Sequence, residues 1–534
     1  MQHFNKLTLS RLACAVALGL HGCVWAQVAQ SPVSASVTPS FAIRGFNVKG
    51  ENPLGDGETS KVLAPFLRSN ANIDVLQKAT VALESALRDK GFGLHRVSLP
   101  PQEVGDTVTL EIVKFSLGNV HIEGATRNSE ANIRRSVPEL QVGATPNFKR
   151  LAVQTGIAND NPSKQITVSL KESDQPDKID ASVKVKDQSP WTFSLSASNT
   201  GAASSGRDRL TFSAGHANLF DLDHQFVAAY TTSVERTQDV KQLGLSYKVP
   251  LYEWGGVLGA NLTQSDVLGN FSTFTSTGAG RTLGLNFSKH LQPDGGQRSY
   301  VNFALDDKLY NATIINGAPV GVDRRSRPLT LGYSQRNESD TALWAFNVDV
   351  AHNLSSGAAN TLLAYQAEDP RITTVSWKTL RSGANYSAPF ATDWLWAVRG
   401  QLQLSSDALI SGEQFGLGGV SSVRGAPDRT ISGDKGLSAS LEVTSPEWLQ
   451  PGLRVLGFID AGWLANNNPN GANKPSSDKL SSWGLGLRYS HKSGASLSMD
   501  YGRILGGSVV PLATNPNAIQ RGADKLHLNF SVRF

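Results

Sequence analysis

Residues 526–534 read Leu-His-Leu-Asn-Phe-Ser-Val-Arg-Phe, an unbroken alternation of apolar and polar side chains that ends on an aromatic residue. Successive side chains of a β-strand point to opposite faces of its sheet. One face of this strand would carry leucine, phenylalanine and valine, and the other would carry histidine, asparagine, serine and arginine. That division suits lipid on one side and water on the other. A soluble two-layer sandwich would show the same alternation, so the rest of the chain has to decide.

Composition narrows the class of protein. The mean hydropathy is −0.22, and after residue 26 no apolar run approaches the roughly 18 residues that a membrane helix needs. The formal net charge is +5, which becomes 5 − 2 = +3 when Lys6 and Arg11 are removed. This mild charge gives no reason to expect a nucleic-acid partner.

The first 26 residues are predicted to be a secretory signal peptide. Two basic residues precede an apolar stretch at 12–20, and Val24-Trp25-Ala26 supplies the pattern of a cleavage site. A lipoprotein signal at residues 20–23 is an alternative. Both cysteines, Cys14 and Cys23, lie in this segment, so the exported chain is predicted to have neither disulfides nor thiolate metal ligands.

From residue 190 to 534 the sequence contains only alternating segments and connections rich in Gly, Asn, Asp and Ser. These segments predict a sixteen-stranded antiparallel barrel, an even number as in bacterial outer-membrane barrels. Connections after even-numbered strands are short and those after odd-numbered strands are mostly long, which places the amino-terminal region in the periplasm. The predicted strands are 192–198, 208–216, 224–233, 239–249, 255–264, 279–290, 297–309, 325–336, 342–354, 373–386, 393–406, 435–446, 453–464, 481–491, 494–503 and 525–534.

The region before the barrel is predicted to form two small α/β modules, residues 41–115 and 116–189, after a short linker at 27–40. In the first module a strand at 41–49 precedes a helix that Asn72 can cap and Gly91 can end. In the second module Ser129 can cap a short helix, and a further helix is predicted near 148–157.

Four motifs, in the right order, resemble the two-partner secretion transporters, the family that exports haemolysins and filamentous adhesins and belongs to the BamA-like outer-membrane assembly superfamily. Residues 90–110, with Val-Ser-Leu-Pro-Pro-Gln at 97–102, look like that family's first POTRA domain, and Asn-Asp-Asn-Pro at 159–162 is similar to its second. Residues 414–425, with Ser-Val-Arg-Gly at 422–425, resemble its sixth extracellular loop, predicted here as 407–434. Phe-Ile-Asp-Ala-Gly at 458–462 matches its strand-thirteen signature.

The resemblance implies that the last two motifs meet inside the barrel. Phe458, Asp460 and Gly462 share one face of their strand, and lipid takes the other face, so Asp460 is expected in the lumen. An arginine at the tip of an inward-folded loop could then form a bidentate pair with it. The implied site is a lumen lock of Val423, Arg424, Gly425, Phe458, Asp460 and Gly462. The alternative is a solvated loop arginine and an unrelated strand aspartate.

Two departures from the family pattern matter. The position after Gly425 is usually aromatic, but here it is Ala426, so an aromatic contact is missing or supplied elsewhere. Some family members thread a helix through the pore, but a helix of the 14 residues at 27–40 would span only about 21 Å. We therefore predict no helical plug, which makes loop 407–434 the main obstruction.

The function implied by the resemblance is a translocation pore in the bacterial outer membrane. Its POTRA domains would recognise an unfolded exoprotein with an amino-terminal secretion domain through strand edges within 41–189, and the pore would export it without ATP. Lipid, the barrel assembly machinery and periplasmic chaperones would be further partners.

The remaining motifs give no sign of catalysis. No phosphate-binding glycine-rich loop is present, no two histidines have metal-ligand spacing on a shared element, and no nucleophile motif occurs, so neither enzyme activity nor a cofactor or metal is predicted. The alternatives are a BamA-like factor that inserts other barrels, a passive porin and a barrel-anchored enzyme. The Pro-Pro-Gln segment argues against the BamA-like factor, and the two modules would have no purpose in a passive porin.

Overall fold

The computed structural model of the protein describes residues 40–534, apart from 104, 203–204, 272–273, 316–317, 340, 470–473 and 516–517. The predicted signal peptide at 1–26 lies outside the described residues, and so does the linker at 27–40 except for residue 40. The expectation that no helix plugs the pore therefore stays a prediction. Within the described part of the chain, no helix combines the length and apolar character needed to cross a membrane.

The first module packs two helices against a three-stranded sheet in the order β2-β5-β4. Helix α2 begins where predicted, because the Asn72 side chain accepts a hydrogen bond from the Val75 N–H at 3.2 Å. Its apolar positions are buried in the module's core. The elements are β1 (Phe41–Ile43), β2 (Gly45–Gly50), α1 (Gly55–Leu63), β3 (Arg68–Ala71), α2 (Ile73–Asp89), β4 (His95–Ser98) and β5 (Thr107–Lys114).

Two features of this module were not predicted. The strand predicted at 41–49 is divided at Arg44, and its first part pairs with β3, not with the main sheet. Helix α1 has two glycines and few apolar residues, so its sequence gives a weak helical pattern. Leu63 at its end is buried in the same core as α2, so tertiary packing decides this helix.

The second module repeats the plan with a sheet in the order β6-β8-β7. The Ser129 hydroxyl accepts a hydrogen bond from the Asn132 N–H at 3.0 Å and caps α3 as predicted. Asn147 caps α4. The elements are β6 (Ser116–Glu123), α3 (Glu130–Ser136), α4 (Phe148–Asn159), β7 (Lys164–Glu172) and β8 (Lys178–Asp187).

The described residues from 191 onward form a closed antiparallel barrel of sixteen strands, which confirms the predicted fold class. The alternating stretch at 526–534 pairs with the first strand of the barrel and so closes it. Asn529 lies opposite Ser198, and Arg533 lies opposite Ser194. The strands are β9 (Trp191–Ser198), β10 (Arg209–Leu219), β11 (His224–Thr232), β12 (Lys241–Leu251), β13 (Gly256–Ser265), β14 (Gly280–His290), β15 (Gln297–Tyr310), β16 (Arg324–Ser326 and Pro328–Glu338), β17 (Leu343–Asn353), β18 (Lys378–Ala391), β19 (Trp394–Leu404), β20 (Lys435–Thr444), β21 (Leu453–Ala465), β22 (Ser477–Ser490), β23 (Ala495–Gly506) and β24 (Asp524–Arg533).

Connections alternate in length around the barrel, so it has a short-turn end, which faces the two modules, and a long-loop end. One strand is displaced from its prediction: β18 begins at Lys378 instead of residue 373. The residues before it include Ile372, Val375 and Trp377, which pack against helix α5 (Leu362–Glu368) through Tyr365. Their apolar spacing therefore serves a small core in the loop and not a lipid-facing strand.

Candidate functional site

The long connection between β19 and β20 folds back against the inner wall of the barrel. Residues Phe415–Leu417 pair with Ile431–Gly433 as a small hairpin, which carries the predicted loop motif at its tip. The tip is buried: Val423, Arg424 and Ala426 are each at most 1 % exposed. The loop is thus packed inside the barrel and does not project into solvent.

Arg424 and Asp460 meet at this tip. The Arg424 Nε donates to Asp460 Oδ2 at 2.8 Å and its Nη2 donates to Oδ1 at 2.8 Å, a bidentate pair. The backbone N–H of Arg424 also donates to Oδ2 at 3.0 Å. Asp460 is fully buried. Two side-chain bonds and one backbone bond to a single carboxylate fix both the position and the orientation of the loop tip.

The other signature residues shape the space around the pair. The Phe458 ring lies under the guanidinium, with Cζ of Arg424 3.4 Å from the ring centroid. Gly425 has φ +92°, and a Cβ there would lie 2.8 Å from the Gly502 carbonyl oxygen, so only glycine fits. A Cβ on Gly462 would run into the Leu417 side chain of the loop hairpin. The two glycines therefore permit the close approach of loop and wall.

Arg424 has carboxylate neighbours besides Asp460, the one partner that the motif predicts. Its Nη1 lies 2.9 Å from Glu442 Oε1 and 3.9 Å from Asp500 Oδ1, and its Nη2 donates to Ser440 Oγ at 3.1 Å. Asp500 is itself held by Arg488 through two bonds of 2.8 and 2.9 Å. These partners lie on β20 and β23, so Arg424 connects the loop to three strands of the wall.

The unusual Ala426 is enclosed by an apolar cluster. It packs with Val423 and Leu417 of the loop against Leu480 and Ile504 of the wall. Among the described residues of this cluster, the aromatic ring comes from Phe415 in the hairpin. Aliphatic packing from both sides of the interface thus surrounds the position where the family usually has an aromatic side chain.

A second anchor of the loop lies at Glu413, which sequence reasoning missed. Its carboxylate accepts hydrogen bonds from Tyr310 (2.9 Å), Ser326 (2.8 Å) and Arg381 (2.9 Å), and Lys308 lies 3.2 Å away. Burial alone would raise the pKa of Glu413, but Lys308 and Arg381 lower it to about 2. The carboxylate is therefore charged at any physiological pH. No family motif marks Glu413, and its partners lie 32 to 105 residues away in sequence.

A further ion pair holds the start of β20. Asp434 is fully buried and lies 3.1 Å from the Arg371 Nη1, and it accepts hydrogen bonds from the backbone N–H groups of Leu409 and Asn467. Arg371 belongs to the connection before β18. The base of the inward-folded loop is thus tied to neighbouring long connections.

The second module is fixed to the short-turn end by a buried polar network. Lys164 Nζ donates at 2.6 Å to Asp223 Oδ2, in the turn between β10 and β11, and at 2.6 Å to Asn132 Oδ1. The Tyr252 hydroxyl, from the next turn, donates to the same Asp223 oxygen at 2.6 Å. Burial lowers the pKa of Lys164, and the attraction of Asp223 opposes that shift.

The Asn-Asp-Asn-Pro motif at 159–162 belongs to the same junction. Asp160 accepts hydrogen bonds at 2.7 Å from both Arg298 and Arg336 of the barrel. Asn161 donates to the Ala217 carbonyl at 2.8 Å. The residues that resemble a POTRA signature therefore form part of the contact between module and barrel.

A sixteen-stranded barrel with two α/β modules at its short-turn end and a long loop held in its lumen defines the class of outer-membrane protein transporters. The chain belongs to the family of haemolysin secretion/activation proteins ShlB/FhaC/HecB, whose model matches residues 177–489. A model of the ShlB-type POTRA domain matches residues 41–114.

Individual relatives agree with this assignment. The outer membrane transporter CdiB of Dickeya dadantii strain 3937 is 24 % identical over 454 residues, covering 82 % of this chain and 80 % of that protein. CdiB of Escherichia coli is 22 % identical over 457 residues, covering 83 % and 76 %. The structure of CdiB from Escherichia coli superposes with a TM-score of 0.72 at 19 % identity over 95 % of this chain and 93 % of that one. That of CdiB from Acinetobacter baumannii gives 0.69 at 17 % identity over 93 % and 90 %.

This protein is therefore a two-partner secretion transporter of the bacterial outer membrane. Its POTRA modules and short turns lie in the periplasm, and its long loops lie on the extracellular side. Transporters of this class work with a secreted exoprotein.

Proposed function

We propose that the POTRA modules recognise an unfolded exoprotein through its amino-terminal secretion domain, and that the barrel passes it to the cell surface or medium without ATP. Folding of the exoprotein outside would bias its direction. Lipid surrounds the barrel in this proposal, and the barrel assembly machinery and periplasmic chaperones serve its own biogenesis. The lumen lock of Arg424 and Asp460 holds loop 407–434 in register while the pore is idle.

The observation that carries the recognition proposal is the outer edge of β7. This strand is the last of its sheet, so one side of its backbone is not paired with β8. The side-chain amide of Asn159 bonds to both outward-facing backbone groups of Ile166. Its Oδ1 accepts from the N–H at 2.6 Å, and its Nδ2 donates to the carbonyl at 3.0 Å. The pairing with β8 is regular from Lys164 to Glu172, so the N–H and C=O groups of Val168 and Leu170 point the same way. They are available to a further strand.

A groove of about 560 Å³ lies beside this edge, between the second module and the barrel. Its module side includes Leu151 of α4 with Val168 and Leu170 of β7, and its barrel side includes Leu291 and Tyr300. A client segment added to β7 would place alternate side chains into this apolar groove. Main-chain bonds would then supply affinity with little demand on sequence, which suits an unfolded client.

Replacing Val168 by proline tests this edge. Proline removes the outward-facing N–H but leaves the ladder to β8 intact, as at natural edge positions. We expect export of the cognate exoprotein to fall strongly, measured as exoprotein in the medium of cells that produce equal amounts of transporter. Val168→Ala keeps the N–H and is the matched control, with near-normal export expected. Equal export by both variants would exclude the β7 edge as the recognition site.

Deleting residues 416–430 should raise the ion conductance of the barrel in planar lipid bilayers. This segment includes the hairpin tip and Arg424, and we expect it to be the main obstruction of the pore. Deletion of a peripheral hairpin of the same end, at 268–277, is the control, because its strands pair with each other and not with the barrel. Unchanged conductance after removal of 416–430 would show that another part of the chain closes the pore.

A further inference from the structure

Two lysines stand at the extracellular ends of β18 and β20, the strands on either side of β19, and face the lipid. Lys378 is the first residue of β18, where Arg381 points into the lumen and bonds to Glu413. Side chains alternate along a strand, so Lys378 points outward. Lys435 opens β20, in which Ser440 contacts Arg424 in the lumen. By the same alternation Lys435 also points outward.

A surface groove of about 470 Å³ joins the two lysines. Its apolar lining consists of Val350 of β17, Leu380 of β18 and Leu404 of β19, and Ser406 also lines it. Val350 and Leu404 are exposed large hydrophobic side chains. The groove thus combines an apolar surface with two ammonium groups at its extracellular end.

The position of the groove along the barrel axis matches the extracellular border of the outer leaflet. On β18, Lys378 lies eight residues before Tyr386 and twelve before Phe390, at the opposite end of the strand. At about 3.3 Å per residue and a tilt of about 40°, these intervals correspond to roughly 20 and 30 Å along the barrel axis. An apolar band is about 25 Å tall, so the lysines lie at its extracellular border.

The ammonium groups are not neutralised within the protein. Among the described residues, no carboxylate forms an ion pair with Lys378 or Lys435. The Lys435 Nζ donates to Asn467 Oδ1 at 3.1 Å. Asp407 lies close by, but it accepts its bond from the backbone N–H of Lys378 at 3.1 Å. Two ammonium groups without a carboxylate partner beside an apolar surface can therefore pair with an anion outside the chain.

We propose that this groove binds a phosphate-bearing lipid of the outer leaflet. The phosphate lies between Lys378 and Lys435, and an acyl chain covers Val350, Leu380 and Leu404. Basic pockets on the surface of membrane proteins bind phosphorylated head groups through this combination. The site lies on the outer wall of β18–β20, whose inner face carries Arg381 and Ser440, so a bound lipid would brace the wall that holds the loop.

The test measures binding of diphosphoryl lipid A to the full-length transporter purified in a nonionic detergent, by titration in mixed micelles. The variant is Lys378→Gln with Lys435→Gln. The matched control is Lys241→Gln with Arg281→Gln, because these residues also lie at the extracellular ends of strands and are exposed but lie outside the groove. The shift in gel mobility on heating verifies that each barrel is folded.

We expect the groove variant to bind lipid A about 30-fold more weakly, with a much smaller change in the control. Dephosphorylated lipid A should bind the native protein as weakly as diphosphoryl lipid A binds the variant, and an excess of inorganic phosphate should displace little lipid. An equal loss in both variants would overturn the proposal, because binding would then reflect total charge. Complete displacement by inorganic phosphate would also overturn it, because the groove would then select the anion and not the lipid.

Discussion

Replacing Arg424 by alanine is expected to reduce export of the exoprotein to near background while the barrel still assembles. The change leaves Asp460 buried beside Glu442 without its bidentate partner, and breaking a buried pair from one side costs about 3–5 kcal/mol. That corresponds to about 100-fold or more in the equilibrium between the held and the released loop. Exoprotein in the medium is the readout, with outer-membrane yield and heat-modifiable mobility as tests of assembly.

The matched variants make this prediction specific. Asp460→Ala and the double variant should lose export to a similar degree, because export depends on the tie between loop and wall, and each change removes that tie whether or not a buried charge is left unpaired. Arg424→Lys keeps the charge but cannot form two parallel bonds, so it should also be impaired. Arg399→Ala is the control: Arg399 bonds to Glu442 at 2.7 Å from the lumen wall but does not belong to the loop. Full export by either single alanine variant at the lock would remove both residues from the site.

The sequence predicted the barrel and the lumenal face of Asp460 because both depend on local alternation. The two-residue period places Phe458, Asp460 and Gly462 on one face whatever the rest of the chain does, and Ile459 on the other face is 58 % exposed. That Arg424 of the loop motif meets Asp460 was implied by the family resemblance and does not follow from the alternation. The period is a short-range property that a single sequence carries, whereas the partner of a loop residue is not.

The remaining anchors of the loop could not be predicted in this way. Glu413 bonds to Lys308 and Arg381, and Asp434 bonds to Arg371, across 32 to 105 residues of chain. Many charged residues could have formed these pairs on the sequence alone. Register between distant strands decides which ones meet, and that register is set by the closure of the whole barrel. Helix α1 was missed for a related reason, because its packing against α2 outweighs its weak helical pattern.

Replacing Lys164 by methionine is expected to loosen the second module from the barrel. Lys164 and Asp223 have side chains that are 0 % and 2 % exposed, and methionine keeps most of the volume while removing the charge. Asp223 would keep its bonds from Tyr252 and Asn132 but lose its only ion-pair partner among the described residues. A penalty of about 3–5 kcal/mol follows for an uncompensated buried charge. Limited proteolysis between module and barrel should accelerate strongly, and export should fall with it.

The pairing can be separated from general damage by a double-mutant cycle. Asp223→Asn alone leaves a buried ammonium and should also destabilise the junction. The double variant Lys164→Met with Asp223→Asn removes both charges and should be less sensitive to proteolysis than either single variant, because neither charge is then left unpaired. Arg150→Met is the control, since Arg150 pairs with Glu139 at 2.8 Å inside the module. Additive effects in the cycle would show that Lys164 and Asp223 act independently, and the junction would then depend on the contacts of Asp160 and Asn161.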